Sequence, residues 1–98
     1  MNYMKAEKMK VLLVATVQSH ICQFHRPLVA MLHEHGCEVH VAARNNLAEK
    51  NGLKLDFVEQ VFDVPFQRSP FSPKNLGAYK QLKKIIDEGG YDVVHCNT

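Results

Sequence analysis

The chain has 98 residues, 46% of them hydrophobic and 22% charged, with a formal net charge of +2. That size permits one domain burying about 60–70% of the surface its unfolded form exposes, and the composition is globular rather than disordered. The small charge and the lack of a basic stripe interleaved with aromatics exclude a nucleic-acid binder, and no apolar run is long enough to cross a bilayer.

In chain order, residues 1–9 read as a disordered leader that holds lysines but no apolar core of signal-peptide length. The first strand, Lys10 to Ala15, is apolar on both faces, as a central parallel strand covered by helices on each side should be. The polar stretch Thr16 to His20 reads as a loop feeding a helix, with Ser19 as a possible cap. That helix is expected to start between Ile21 and Arg26, because Pro27 suits a first turn and not a helix interior. Ile21, Phe24, Leu28, Met31 and Leu32 form its expected buried stripe, and Gly36 its stop. Glu38 to Ala43 is the second strand, and Arg44 to Gly52 a polar loop or short helical turn. Asp56 to Val61 is the third strand. Phe62 to Pro73 carries three prolines, Pro65, Pro70 and Pro73, and reads as an irregular loop. The second helix has Ser72 at its cap, Pro73 in its first turn and Gly89-Gly90 at its stop. Leu76, Tyr79, Leu82, Ile85 and Ile86 make its stripe. Tyr91 to His95 is the fourth strand.

This order predicts an α/β fold, a Rossmann-like open parallel sheet with right-handed crossovers and strand order 3-2-1-4. Ligands of such sheets bind beyond the carboxyl ends of the strands, at the point where strand order reverses. The first and fourth strands meet there, so Thr16, Gln18, Ser19 and His20 should face His95, Asn97 and Thr98. Amides, hydroxyls and an imidazole in the first loop could meet a polar ligand, although a plain capped connection would use the same residues. A dinucleotide site is disfavoured: there is no GxGxxG, and Ala43-Arg44 stand where a ribose-binding acid would sit. Arg68, in the proline-held PFQRSPFSP, is a candidate phosphate contact. No metal site is expected, since His20 and Cys22 would face different sides of a helix. His33 and His35 read as solvated partners of a helix C-terminus, and His40 as a packed or edge histidine. Cys22, Cys37 and Cys96 are far apart without a CxxC pair, which predicts free thiols in a reducing cytoplasm. A parallel strand at the end of a βαβα series normally feeds another helix, so residues 10–98 are expected to be a truncated Rossmann-like domain of a longer protein. Its uncovered apolar surface predicts self-association.

Taken together, KVLLVATVQSHICQFHRPLVAMLHEHGCEVHVAAR, PFQRSPFSPKNLGAYKQLKKII and YDVVHCNT resemble the N-terminal domain of bacterial family 4 retaining glycosyltransferases of the two-domain GT-B fold. The nearest in type are enzymes of capsular or exopolysaccharide synthesis described as galactosyl- or glucosyltransferases. The resemblance covers nearly the whole chain from Lys10. HICQFHRP, QRSP and DVVHCN are its more particular parts, whereas GCEVHV is common to many such enzymes. Many members carry a Gly-Gly pair in the first loop, where Gln18-Ser19-His20 stand here, so close approach of backbone to a donor diphosphate is not expected at that loop.

The resemblance implies the N-terminal, acceptor-side half of a hexosyltransferase that uses a sugar nucleotide, UDP-hexose by type, without a catalytic metal and without a cofactor in this part of the chain. It implies acceptor contacts from Thr16, Gln18, Ser19, His20, Arg68, His95, Asn97 and Thr98. The acceptor would be a lipid-linked sugar at the inner membrane face, met by a cytoplasmic or peripheral enzyme. The donor-binding C-terminal domain would lie outside this sequence, leaving the 98-residue piece inactive alone. The residues by themselves leave two other classes open. A receiver-like signalling module would want paired acids after the first strand, where Thr16-Val17-Gln18 stand, and a non-catalytic α/β binding domain would want none of this chemistry.

Overall fold

The computed structural model describes residues 9–49, 52–67 and 72–97. Its central strand β1 (Lys10–Val17) runs directly into α1 (Gln18–Phe24), and α2 (Arg26–Glu34) follows after a break at His25. Then come β2 (Glu38–Arg44), a short 3-10 turn at Leu47–Glu49, β3 (Gln60–Asp63), α3 (Asn75–Gly89) and β4 (Val93–Asn97). All strand pairs are parallel and the order is β3-β2-β1-β4, the Rossmann-like arrangement expected from the sequence.

Two apolar layers sandwich the sheet because β1 and β2 are apolar on both faces, and successive side chains point to opposite sides. Val11, Leu13 and Ala15 pack with Ile21 and Val29 of the first two helices and with Val39, Val41 and Ala43. On the other face, Leu12, Val14 and Ala42 pack with Val64, Phe66 and Ala78. The amino end of the sheet is tied by Lys10, whose N–H donates to the Asp92 carboxylate at 2.8 Å and whose ammonium reaches the Gly89 carbonyl. Gly90 ends α3 at φ 65°, a left-handed turn that Gly adopts without a Cβ clash.

Several local expectations are corrected. The loop expected at Thr16 to His20 is absent, since β1 extends through Val17 and helix begins at Gln18. Neither α1 nor α3 has a side-chain cap: Ser19 lies inside α1, and α3 starts at Asn75, after Lys74. Ser72 instead accepts hydrogen bonds from the Lys74 N–H on its hydroxyl and the Asn75 N–H on its carbonyl. The helix with Pro27 in its opening turn starts at Arg26, within the expected window, but the residues before it form a helix of their own, Gln18–Phe24, ended at His25 with φ −119°.

That break moves Phe24 out of the stripe. It belongs to α1, whose buried face is set by Gln18, Ile21 and Cys22, and it is 66% exposed. Met31 is likewise exposed, beside the Leu28–Leu32 row that packs on the core. On α3 the buried row is Asn75, Ala78, Leu82, Ile85 and Ile86, which leaves Leu76 and Tyr79 exposed on its flank.

β3 starts four residues later than expected, at Gln60. Glu59 just before it bends, and its carboxylate accepts the Val39 N–H at 2.6 Å and meets His33 at 3.0 Å. β4 is shifted by two residues, Val93–Asn97 instead of Tyr91 to His95. The remaining expectation, an irregular Phe62 to Pro73 segment, is replaced at its start by β3 through Asp63, and its centre lies outside the described residues.

Candidate functional site

The parallel sheet gathers the carboxyl ends of its strands on one rim. Val17 of β1 aligns with Arg44 of β2, and Ala15 of β1 with Asn97 of β4. The two tips flanking the reversal of strand order are therefore adjacent, as the sequence pattern implies. Register between β1 and β2 slips between Val14 and Val17, which carries β1 past the rim and aims the chain directly into α1.

Polar residues on this rim divide into those that hold it together and those that face outward. Gln18 and Ser19 hold it: they are only 3% and 4% exposed. The Gln18 amide donates to the Ala43 carbonyl at 3.1 Å, capping the end of β2. Ser19 and Asn46 form a reciprocal pair in which the Ser19 N–H donates to Asn46 Oδ1 at 3.0 Å and Asn46 Nδ2 donates to Ser19 Oγ at 2.8 Å. An amide pair of this kind satisfies a first-turn N–H that would otherwise be orphaned in a buried position. Further along the rim, the Asn45 N–H donates to the Asp63 carboxylate at 2.9 Å and the Gln67 N–H to Asn75 Oδ1 at 2.8 Å. Asn46, Asn45, Asp63 and Asn75 were not singled out from the sequence. The signal that could have found Asn46 is its place just past an apolar strand, opposite a serine at the start of a helix.

Facing outward are Thr16 and His20, both partly exposed, together with Arg44. The His20 ring lies 5.1 Å from both the Phe24 and His25 rings, centroid to centroid. His25 Nδ1 is buried without a hydrogen-bond partner. His95 sits lower than expected: it pairs with Leu13, not with the tip of β1. There it lines an apolar groove of about 390 Å³ with Val11, Leu13, Leu28, Leu32 and Val93. Arg68 and Thr98 lie outside the described residues, and Asn97 is placed by its backbone at the tip of β4.

At the opposite, amino end of the sheet lies a second polar cluster. His40, 5% exposed, is held on both nitrogens, by the Glu38 carboxylate at 2.6 Å and the Tyr91 hydroxyl at 2.7 Å. Burial pushes the Tyr91 phenol up from its ordinary value, and the Glu38 charge adds to it. This confirms His40 as a packed histidine. A cavity of about 390 Å³ beside it is lined by Lys10, Gln60, Gln81 and Lys84. Among the described residues, no group of three or more His, Cys, Asp or Glu side chains could hold a metal ion, and no helix is long and apolar enough to cross a membrane. The three cysteines are free thiols.

The family described as Glycosyl transferase 4-like matches residues 10–98, from the first residue of β1 onward. A Bacillus subtilis (strain 168) protein named "Putative glycosyltransferase EpsD" is 46% identical over 89 residues, which is 91% of this chain and 22% of that protein. The chain thus spans about a fifth of that relative's length. No solved structure matches the chain.

Proposed function

From the premise that this chain belongs to the Glycosyl transferase 4-like family, we propose that it forms the N-terminal, acceptor-side half of a retaining hexosyltransferase. The enzyme moves a hexose from a sugar nucleotide, UDP-hexose by type, to a lipid-linked oligosaccharide in exopolysaccharide or capsular polysaccharide synthesis. The observation that carries this reading is the family match across the whole parallel sheet, together with the side-by-side tips of β1 and β4 at the reversal of strand order.

In such a transfer, the acceptor oxygen bonds to the anomeric carbon as the bond from that carbon to the donor diphosphate breaks. The acceptor proton passes to the departing diphosphate. The reaction needs the acceptor hydroxyl held beside the anomeric carbon and the developing negative charge met by fixed dipoles and cations. On this side of the cleft the outward-facing candidates are Thr16 and His20, with Arg44 as a further cation on the rim. Arg68, from the proline-held loop, is assigned to the acceptor's phosphate. Gln18 and Ser19 act one step back. Their polar atoms are engaged with Ala43 and Asn46, so they shape the rim on which the acceptor rests. Asn97, at the tip of β4, belongs to the facing lip with His95 on its flank, and Thr98 is assigned to the acceptor from the sequence.

The test is a donor screen on the full-length polypeptide with UDP-glucose, UDP-galactose and UDP-N-acetylglucosamine and a lipid-diphosphate sugar acceptor. The expected product keeps the donor's anomeric configuration, and His20→Ala and Arg68→Ala each raise the acceptor KM about tenfold or more. Unchanged rate and acceptor KM in both variants would dismiss those roles, and no sugar transfer from any donor would dismiss the reading. The isolated 98-residue chain should transfer nothing, since it supplies one wall of the cleft.

A further inference from the structure

An exposed aromatic needs a reason, and Phe24 is the joint most exposed large apolar side chain among the described residues, at 66%. It does not stand alone. Phe24 and His20 lie four residues apart on one face of α1, the spacing that brings side chains together on consecutive turns, and their rings are 5.1 Å apart. The His25 ring, at the break after α1, lies at the same distance from the His20 ring. The opposite face of α1 is occupied: Ile21 is fully buried, and the Cys22 thiol meets the Lys54 carbonyl at 3.4 Å. Arg26, just beyond, lies over the Phe57 ring at 4.2 Å. The three-ring cluster therefore lies on the side of α1 away from the core. From the carboxyl rim at Gln18 to Phe24, α1 rises about 9 Å at 1.5 Å per residue.

Three rings with two imidazoles among them have a particular complementarity. A hexopyranose presents a face of C–H groups, which packs on an aromatic ring, and an edge of hydroxyls, which need donors and acceptors. Phe24 supplies the open aromatic face. His20 supplies ring nitrogens one ring-spacing away, and His25 adds a second imidazole at the same spacing from His20. A purely apolar partner would leave the imidazoles unpaired, and a purely polar one would leave the Phe24 face wet.

We infer that His20, Phe24 and His25 form a sugar subsite in which a hexose ring of the acceptor stacks on Phe24 and its hydroxyls bond the two imidazoles. This rests on the glycosyltransferase reading for the identity of the sugar as acceptor, but the binding itself is testable without catalysis. The experiment is ligand-observed saturation-transfer NMR on the full-length polypeptide with the methyl β-glycosides of glucose, galactose and N-acetylglucosamine. Saturation should concentrate on the C–H face of the bound glycoside. Phe24→Ala should weaken binding about tenfold, Phe24→Trp should retain it, and Met31→Ala, another exposed apolar residue on α2, should leave it unchanged. Both Phe24 and Met31 are solvent-facing, so these variants keep their fold, which circular dichroism checks.

Binding by none of the glycosides, or equal binding by wild type and Phe24→Ala, overturns the subsite. A transfer assay on the same preparations separates the two claims. Binding without transfer by wild type would remove the catalytic reading and leave the subsite standing. Transfer by Phe24→Ala with an unchanged acceptor KM would remove the subsite and leave the enzyme.

Discussion

β2 and β4 flank β1 in parallel and both present valines, yet Val39 and Val41 of β2 are 0% exposed while Val93 and Val94 of β4 are 42% and 39% exposed. The difference lies in their surroundings. β2 has β3 on its outer edge, the α1–α2 layer with Leu55, Phe57 and Val58 on one face, and Phe62, Val64 and Phe66 with α3 on the other. Among the described residues nothing pairs with the outer edge of β4, and both of its faces carry exposed valine. Parallel strands read as apolar runs because they are meant to be covered on both sides. One side of this sheet meets that condition and the other does not.

Stability measurements should expose this asymmetry most directly. Val41→Ala removes two methyl groups from a fully packed layer and should cost about 2 kcal/mol in urea unfolding, whereas Val94→Ala should cost about 0.5 kcal/mol. Equal losses would break the comparison, because they would mean β4 is as well packed as β2. On the proposed reading of this chain as one half of a longer enzyme, Val94→Ala should cost more in that longer polypeptide than in the 98 residues alone, and an equal cost would mean that nothing else covers β4.

A somewhat smaller loss, about 1–2 kcal/mol, is expected for Asn46→Ala, which strips both partners from the buried Ser19 amide and hydroxyl on the closed side. Asn46→Asp keeps an acceptor for the Ser19 N–H and should cost less. Should Asn46→Ala prove neutral by the same denaturation curves, the reciprocal pair does not hold the rim.

The mildest probe leaves the fold intact. The thiols sample both sides: Cys96 on β4 is exposed, Cys37 is intermediate and Cys22 is buried. Burial pushes the Cys22 thiol up, with Asp56 adding to the shift and the Arg26 charge opposing it, so Cys22 has less thiolate as well as less access. Alkylation followed by mass spectrometry should modify Cys96 first and Cys22 last, with rates at least about tenfold apart. In the longer polypeptide that the proposed function implies, protection of Cys96 would again identify β4 as a covered surface.

The same contrast explains what could be read from the residues beforehand. Strand order and parallel pairing followed from alternating strand and helix segments, because right-handed crossovers leave few topologies open. What could not be read was the environment of individual residues on those elements. Phe24 fits a helical stripe by spacing, but the break at His25 rotates it into solvent. Ser19 has the chemistry of a cap, but β1 runs two residues further than its apolar core and helix begins before it. Glu59 looked like part of a strand, yet its carboxylate captures the Val39 N–H and delays β3. The candidate site was legible as a place, the rim beside β1. It was less legible as a set of side chains: Gln18 and Ser19 turn inward to partners 25 and 27 residues away, which local spacing does not disclose.

The position of β1 also sets an order of events during synthesis. It is made before the other strands described here and ends in the middle of the sheet, joined to β2 after two short helices but to β4 across 82 residues, the separation of Lys10 and Asp92. Closing that longer span carries the larger entropic toll, so the β1–β2 layer should assemble first while one edge of β1 still waits on the ribosome for its second neighbour. A chaperone that shields a bare apolar strand would find its best target in that interval, on the flank where β4 later arrives.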